Sequence, residues 1–197
     1  MAFRFPHFNS VINGIISLRQ GLEFGWGLMI FPVFPMAISS SVEPPIQIAL
    51  ALLRSPSFES PMFLMQLRDD IPEIPCPGQW GLFGGHLDPG ETADECIHRE
   101  LEEEIGRDVP QLELYRVVEE ARLIRHMYHG VLTVPVEELV LGEGMDLKLV
   151  SLTELDVGQA WSAAIAETRS MGEFHRGILL EFWHALSQGR LDQSLMT

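Results

Sequence analysis

The chain has 197 residues, of which 46% are hydrophobic and 21% charged; that is the balance of a soluble globular protein with a real core, and it excludes a disordered chain. A formal charge of −15 works against a nonspecific grip on nucleic acid or an anionic membrane, so any phosphate must be held locally, through metal ions or a few arginines. The only two cysteines, Cys76 and Cys96, lie far apart, which excludes a disulfide framework, argues against a cysteine zinc site and makes a reducing, cytoplasmic compartment the default.

Residues 1–45 differ from the rest, with charge only at Arg4, Arg19, Glu23 and Glu43. Their apolar run FGWGLMIFPVFPMAI (24–38) is broken by Pro32 and Pro35 and falls short of the roughly twenty residues a membrane helix needs. A signal peptide remains open, because Arg4 and Arg19 precede the run and small residues follow it. The preferred reading is an appended or mis-started N-terminus, since Met36-Ala37 followed by ISSSVEPP reads as a natural beginning. We therefore expect residues 1–45 to be an extension outside the fold and residues 46–190 to form the domain.

IQIALALLR (46–54) and MFLMQLR (62–68) read as strands, and the turn-rich SPSFESP between them suggests a hairpin. A proline-rich loop (69–80) follows, then GLFGGHL, a short strand interrupted by Gly84 and Gly85. The clearest helix spans 92–105. Thr92 and Glu95 form a capping-box pattern, Ala93, Ile97, Leu101 and Ile105 recur every four residues, and Gly106 supplies a stop. LELYRVVEEARL, IRHMYHGVLTVPV and LKLVSL (147–152) read as further strands, and FHRGILLEFWHAL (174–186) as a closing amphipathic helix.

The chemistry concentrates on the first helix. Glu100 and Glu104 stack one turn apart, and Glu103 flanks both. Like charges so placed repel by about 0.2–0.5 kcal/mol per exposed pair. Divalent cations among them would remove that cost, and oxygen-only ligation suits Mg²⁺ or Mn²⁺ completed by substrate phosphates. The competing reading is a solvated acidic face, which is how charge runs usually end. Glu102 points away from the three and is read as solvated, while Asp94 and Glu95 complement the helix dipole. Arg99 can bridge to Glu95 or to the acidic cluster.

Gly85, Glu91, Arg99, Glu100, Leu101, Glu103, Glu104 and Gly106 stand at the spacings of the Nudix box, and the chain resembles the Nudix hydrolase family. It departs from the pattern at Arg107, where an aliphatic residue is usual, and at Phe83, where many members carry proline. The resemblance, extended by the order of elements around the box, implies an α+β fold: an α/β/α sandwich around a mixed β-sheet. It also implies hydrolysis of a diphosphate linkage in a nucleoside diphosphate derivative. Glu100, Glu103 and Glu104, with the carbonyl of Gly85, would then ligate Mg²⁺ or Mn²⁺. Glu100 is the favoured general base, and Glu103 and Arg99 belong with it to the catalytic set. Glu91 and Arg99 orient the ligands.

Outside the box, Arg68 and Arg125 are candidate phosphate contacts or ordinary salt bridges, and Trp80 and Phe83 are candidates to stack on a base, with Trp80 equally readable as a core anchor. His86, His126 and His129 are weighed as substrate contacts against ordinary surface or core histidines. The proline or tyrosine that marks dinucleotide or sugar-nucleotide subfamilies after the box is missing, because that interval reads RLIR (122–125). The expected partner is a small nucleotide, with no nucleic acid and no membrane, and the family's habits make a homodimer one arrangement. Two other readings stand beside hydrolysis: a nucleotide-binding regulatory module on the same fold, and isopentenyl-diphosphate isomerase chemistry, for which the cysteine, histidine and metal-ligand complement is not evident.

Overall fold

The computed structural model describes residues 44–191, so the N-terminal extension expected over residues 1–45 lies outside them but for its last two residues. The strands are β1 (Ile46–Arg54), β2 (Met62–Leu67), β3 (Trp80–Gly81), β4 (Phe83–His86), β5 (Glu113–Glu120), β6 (Leu123–Val131), β7 (Asp146–Ser151), β8 (Gln159–Ser162) and β9 (Glu167–Ser170). The helices are α1 (Ala93–Ile105), α2 (Leu152–Val157) and α3 (Glu173–Ser187).

A mixed sheet organises the molecule. β1 runs parallel to β6 along its whole length, β5 closes that edge antiparallel to β6, and β7 pairs antiparallel with β2. The apolar run Ala49–Leu53 explains why β1 is central, since both its faces are covered. Ala49, Ala51 and Leu53 pack with Ile97, Leu101 and Ile105 of α1, and Leu50 and Leu52 pack on the other side with Ile178, Leu179 and Phe182 of α3. This is the expected sandwich, α1 on one face and α2 and α3 on the other.

The expected hairpin of β1 and β2 is reduced to one registered pair, Arg54 with Phe63. Beyond it the two strands take different partners: β3 continues along β2 at Gln66 and Leu67, and β4 continues along Ile48 to Ala51 of β1. The segment carrying Trp80 to His86 therefore occupies the opening between β1 and β2. Gly84 and Gly85 do not interrupt β4. Gly84 takes φ +121°, and a Cβ there would stand 3.0 Å from the Ala49 carbonyl carbon, so the close strand approach requires glycine.

α1 begins as its sequence dictates. The Thr92 side chain accepts from the Glu95 N–H, the Glu95 carboxylate accepts from the Thr92 N–H, and Gly106 ends the helix in the left-handed region at φ +64°. Short elements that the pattern did not announce follow β7, namely α2 and the β8–β9 hairpin. No described helix is long and apolar enough to cross a membrane.

Candidate metal and nucleotide site

α1 lays its carboxylates along the opening between β1 and β2. A cleft of about 400 Å³ there is lined by Ile48 and Leu50 of β1, Leu82, Gly84, Gly85 and His86, Arg99, Glu100 and Glu104 of α1, and Arg68, Pro75, Asp88, Glu143 and His175. Glu104 is 4% exposed; its carboxylate accepts from the Gly84 N–H at 2.7 Å and from Gln66 Nε2 at 2.9 Å. Burial, reinforced by the charges of Glu100 and Glu143, lifts its pKa to about 7 despite those two donors. Glu100 is also raised, by burial first, with Arg99 opposing and Glu103 and Glu143 adding repulsion. Its carboxylate lies where a side chain at position 85 would be, since a Cβ on Gly85 would stand 2.6 Å from Glu100 Cδ. Glycine at 85 thus leaves room for the acid to sit against the backbone.

Arg99 neutralises part of this charge. Its Nε and Nη2 donate to the two oxygens of Glu91 at 2.8 and 3.0 Å, and Nη1 reaches Glu100 at 2.9 Å and Glu103 at 3.2 Å. The guanidinium holds the Glu91 carboxyl down to about 2, helped by the Asp88 N–H. Glu91 thereby orients Arg99, and Arg99 orients Glu100 and Glu103. Glu95 is not a partner of Arg99, because the capping box occupies it. Glu103 is exposed and Glu102 is solvated.

A fourth carboxylate, Glu143, joins this set without having been foreseen. The Val140 and Gly142 N–H groups donate to the carbonyls of Ile105 and Glu104, and so satisfy acceptors that every helix C-terminus leaves open. That docking brings Glu143 to the cleft that Glu100 and Glu104 line. The sequence signal was available: GEG (142–144) frames one acid between two glycines. His175, third residue of α3, also lines the cleft, and only tertiary structure brings it there.

The surroundings of the other candidates choose between their readings. Trp80 and Phe83 are fully buried, in opposite core layers, so neither offers a face to a base. Trp80 is an anchor: its Nε1 donates to the Ala160 carbonyl, and its own carbonyl accepts from Gly172 N–H just ahead of α3. Arg125 pairs with Glu120 at 2.8 Å and lies 4.2 Å over the Phe174 ring, outside the cleft lining. Arg68 does line the cleft, with Nε donating to the Pro75 carbonyl. Of the three weighed histidines only His86 lines it; His126 contacts Gln47, and His129 is buried against Phe182. Arg107, the departure at the end of the box, pairs with Glu138 at the surface.

Among the described residues no three acidic, histidine or cysteine side chains are already gathered as a metal cluster. The donor chemistry nevertheless fits a hard divalent cation. Four carboxylates and a glycine carbonyl supply only oxygen, two of the carboxylates are held in burial that opposes their charge, and one arginine shares itself between Glu100 and Glu103.

Comparison with known proteins bears on the whole of this region. The family model described as NUDIX domain matches residues 46–169. Nucleoside triphosphatase NudI from Enterobacter sp. (strain 638) is 57% identical over 30 residues, 15% of this chain and 21% of that protein. The same enzyme from Escherichia coli O9:H4 (strain HS) is 48% identical over 33 residues, 17% and 23% of the two chains. The chain thus spans about a fifth of the length of these curated relatives. Among solved structures, the NUDIX domain of Shewanella oneidensis NrtR, complexed with ADP ribose, superimposes with a TM-score of 0.57 at 18% identity, over 73% of this chain and 90% of that one. A MutT protein from Methanosarcina mazei Go1 gives 0.55 at 22% identity over 76% and 99%. At such identities the superpositions attest the fold.

Proposed function

The chain belongs to the NUDIX-domain family, and on that premise we propose that it is a divalent-metal-dependent hydrolase cleaving a diphosphate linkage in a nucleoside di- or triphosphate derivative. The observation that carries this reading is the meeting of Glu100, Glu104 and Glu143 in one cleft, with the Glu100 carboxylate seated against Gly85. A polyphosphate would be repelled from such a wall unless cations stood between the two.

Glu100, Glu103, Glu104 and the Gly85 carbonyl would hold Mg²⁺ or Mn²⁺, which when bound neutralises phosphate oxygens and acidifies water. Glu100, partly desolvated and held by Arg99, receives the proton of the attacking water. Arg99, gripped by both oxygens of Glu91, keeps Glu100 and Glu103 oriented as cation ligands. Arg68 supplies a charged donor to a phosphate or to the group attached to it. The protein works in the cytoplasm on a small nucleotide and without nucleic acid or membrane, with a homodimer as the family's common arrangement. Residues 46–190 constitute the working domain.

Incubation with a nucleotide panel and Mg²⁺, read as phosphate or pyrophosphate release, tests this. Hydrolysis of at least one nucleotide is expected, with loss of about 10²-fold or more in kcat for Glu100→Gln. Nucleotide binding that survives in Glu104→Gln, with no member of the panel hydrolysed by the unmodified protein, would establish the regulatory module instead.

A further inference from the structure

The cleft is divided electrostatically. The charged groups acting on Glu100 are Arg99, Glu103 and Glu143 and those acting on Glu104 are Glu100 and Glu143, whereas those acting on His175 are Arg68 and Arg125. His175 and Arg68 come together beside Gly81, where an added Cβ would stand 3.3 Å from Arg68 Cδ and 3.8 Å from His175 Cε1, and Ile48, Leu50 and Leu82 add apolar lining to the same cleft.

The tautomer of His175 follows from its partner. The Leu82 backbone N–H donates to His175 Nδ1 at 3.2 Å. An amide N–H can only donate, so Nδ1 carries no proton and the neutral ring must carry its proton on Nε2. Charging the ring would break that bond, and burial beside Arg68 and Arg125 holds its pKa down to about 4. No described residue accepts from Nε2. Gly172 admits the ring, because a Cβ there would stand 2.7 Å from His175 Cδ2. Fixed on one side by β-segment backbone and on the other by α3, the imidazole presents the cleft with one donor and no acceptor.

We propose that His175 is a specificity residue that reads a nucleobase carbonyl, so that the enzyme prefers nucleotides bearing a keto group at the edge it presents, guanine, uracil or thymine, over adenine and cytosine. This rests on the hydrolase reading above. The exocyclic amine at C6 of adenine or C4 of cytosine would set donor against donor at Nε2–H and at Arg68, whereas O6 of guanine or O4 of uracil and thymine accepts from both.

Two variants separate recognition from support. Asn at 175 keeps an acceptor for the Leu82 N–H but lacks the Nε2 donor, and Gln places an amide donor near Nε2 but loses the acceptor. The measurement is kcat/KM for GTP, UTP, ATP and CTP with Mg²⁺, together with binding of the four nucleoside monophosphates by calorimetry. The unmodified protein should favour GTP and UTP by about tenfold or more, the scale of one hydrogen bond that its competitor cannot make. His175→Asn should erase that preference through KM, while its thermal midpoint stays within a few degrees; His175→Gln should retain the preference. Equal use of the four bases, or a preference that survives His175→Asn, overturns the proposal. The hydrolase reading fails only if the whole nucleotide panel above goes unhydrolysed, and even then the monophosphate affinities decide whether His175 reads the base: tighter GMP and UMP supports it, parity overturns it.

Discussion

At Glu104 two requirements oppose each other. A charged carboxylate is wanted beside cations, yet the residue is buried, and its pKa is lifted from 4.5 to about 7. Between those values the native state holds a proton that the unfolded chain has released. The contribution of Glu104 to the stability of the metal-free protein is therefore fully present below about pH 4.5 and is lost as pH rises through about 7. Glu104→Gln removes the burden, with the Gln66 amide free to turn and accept from the new one. We predict a gain on the order of 2 kcal/mol at pH 7.5 without metal, seen as a raised thermal midpoint, along with loss of hydrolysis. Equal midpoints for the two proteins in chelator at that pH would contradict it. Gly85→Ala tests the neighbouring contact: the new methyl meets the Glu100 carboxylate, so kcat should drop sharply and stability by about 1–3 kcal/mol, with circular dichroism unchanged. The box residues were legible because their spacing is local. Burial decides Trp80 for its core-anchor reading and sets aside stacking for Phe83, because an aromatic beside a loop looks the same in sequence whether it faces a ligand or a core. The sequence places His175 only on the closing helix, since its significance lies in a bond to Leu82 on a distant segment.

The helix α1 is the element most completely written in its own residues: cap, buried stripe and terminal glycine all lie within its span. Thr92→Ala removes the reciprocal cap with Glu95 and should cost about 1 kcal/mol. In a domain of this size that is a fall of about 2–4 °C in thermal midpoint. Activity at 25 °C should be nearly retained, since the capping side chains stand outside the cleft; a loss comparable to that of Glu100→Gln would show that the cap governs the site. Of α2 only Leu152 belongs to the run 147–152 that reads as a strand, and Ser151 and Glu154 form a second capping box at its start. Its brevity hid it, because six residues are too few for a periodicity to declare itself. The pairing of β1 with β6, and the wedge of β3 and β4 between β1 and β2, could not be read from local pattern. Strand partnership depends on which distant segment fills an edge, and β1 alone shows only that both its faces are apolar.

Across the whole molecule, net charge and metal act together. Mg²⁺ should raise the thermal midpoint of the unmodified protein in a concentration-dependent way, as any ligand of the native state does, and this rise should shrink in Glu100→Gln. A midpoint indifferent to millimolar Mg²⁺ would speak against cation binding at the box. Residues preceding about Met36 are predicted to be dispensable: a chain started at Met36 should keep its midpoint and its turnover, and failure of either refutes that assignment. One consequence of the sheet concerns time rather than chemistry. β1 is the first strand of the described chain, yet the edge it gives to β6 is filled only after every intervening element has been made, because Ile46 pairs with Leu123 and Arg54 with Val131. During synthesis or refolding that edge stays open while Ala49–Leu53 waits without its neighbour, a short apolar run suited to pairing with another chain. That distant closure should slow folding, and refolding yield should fall with protein concentration even where the folded protein is stable.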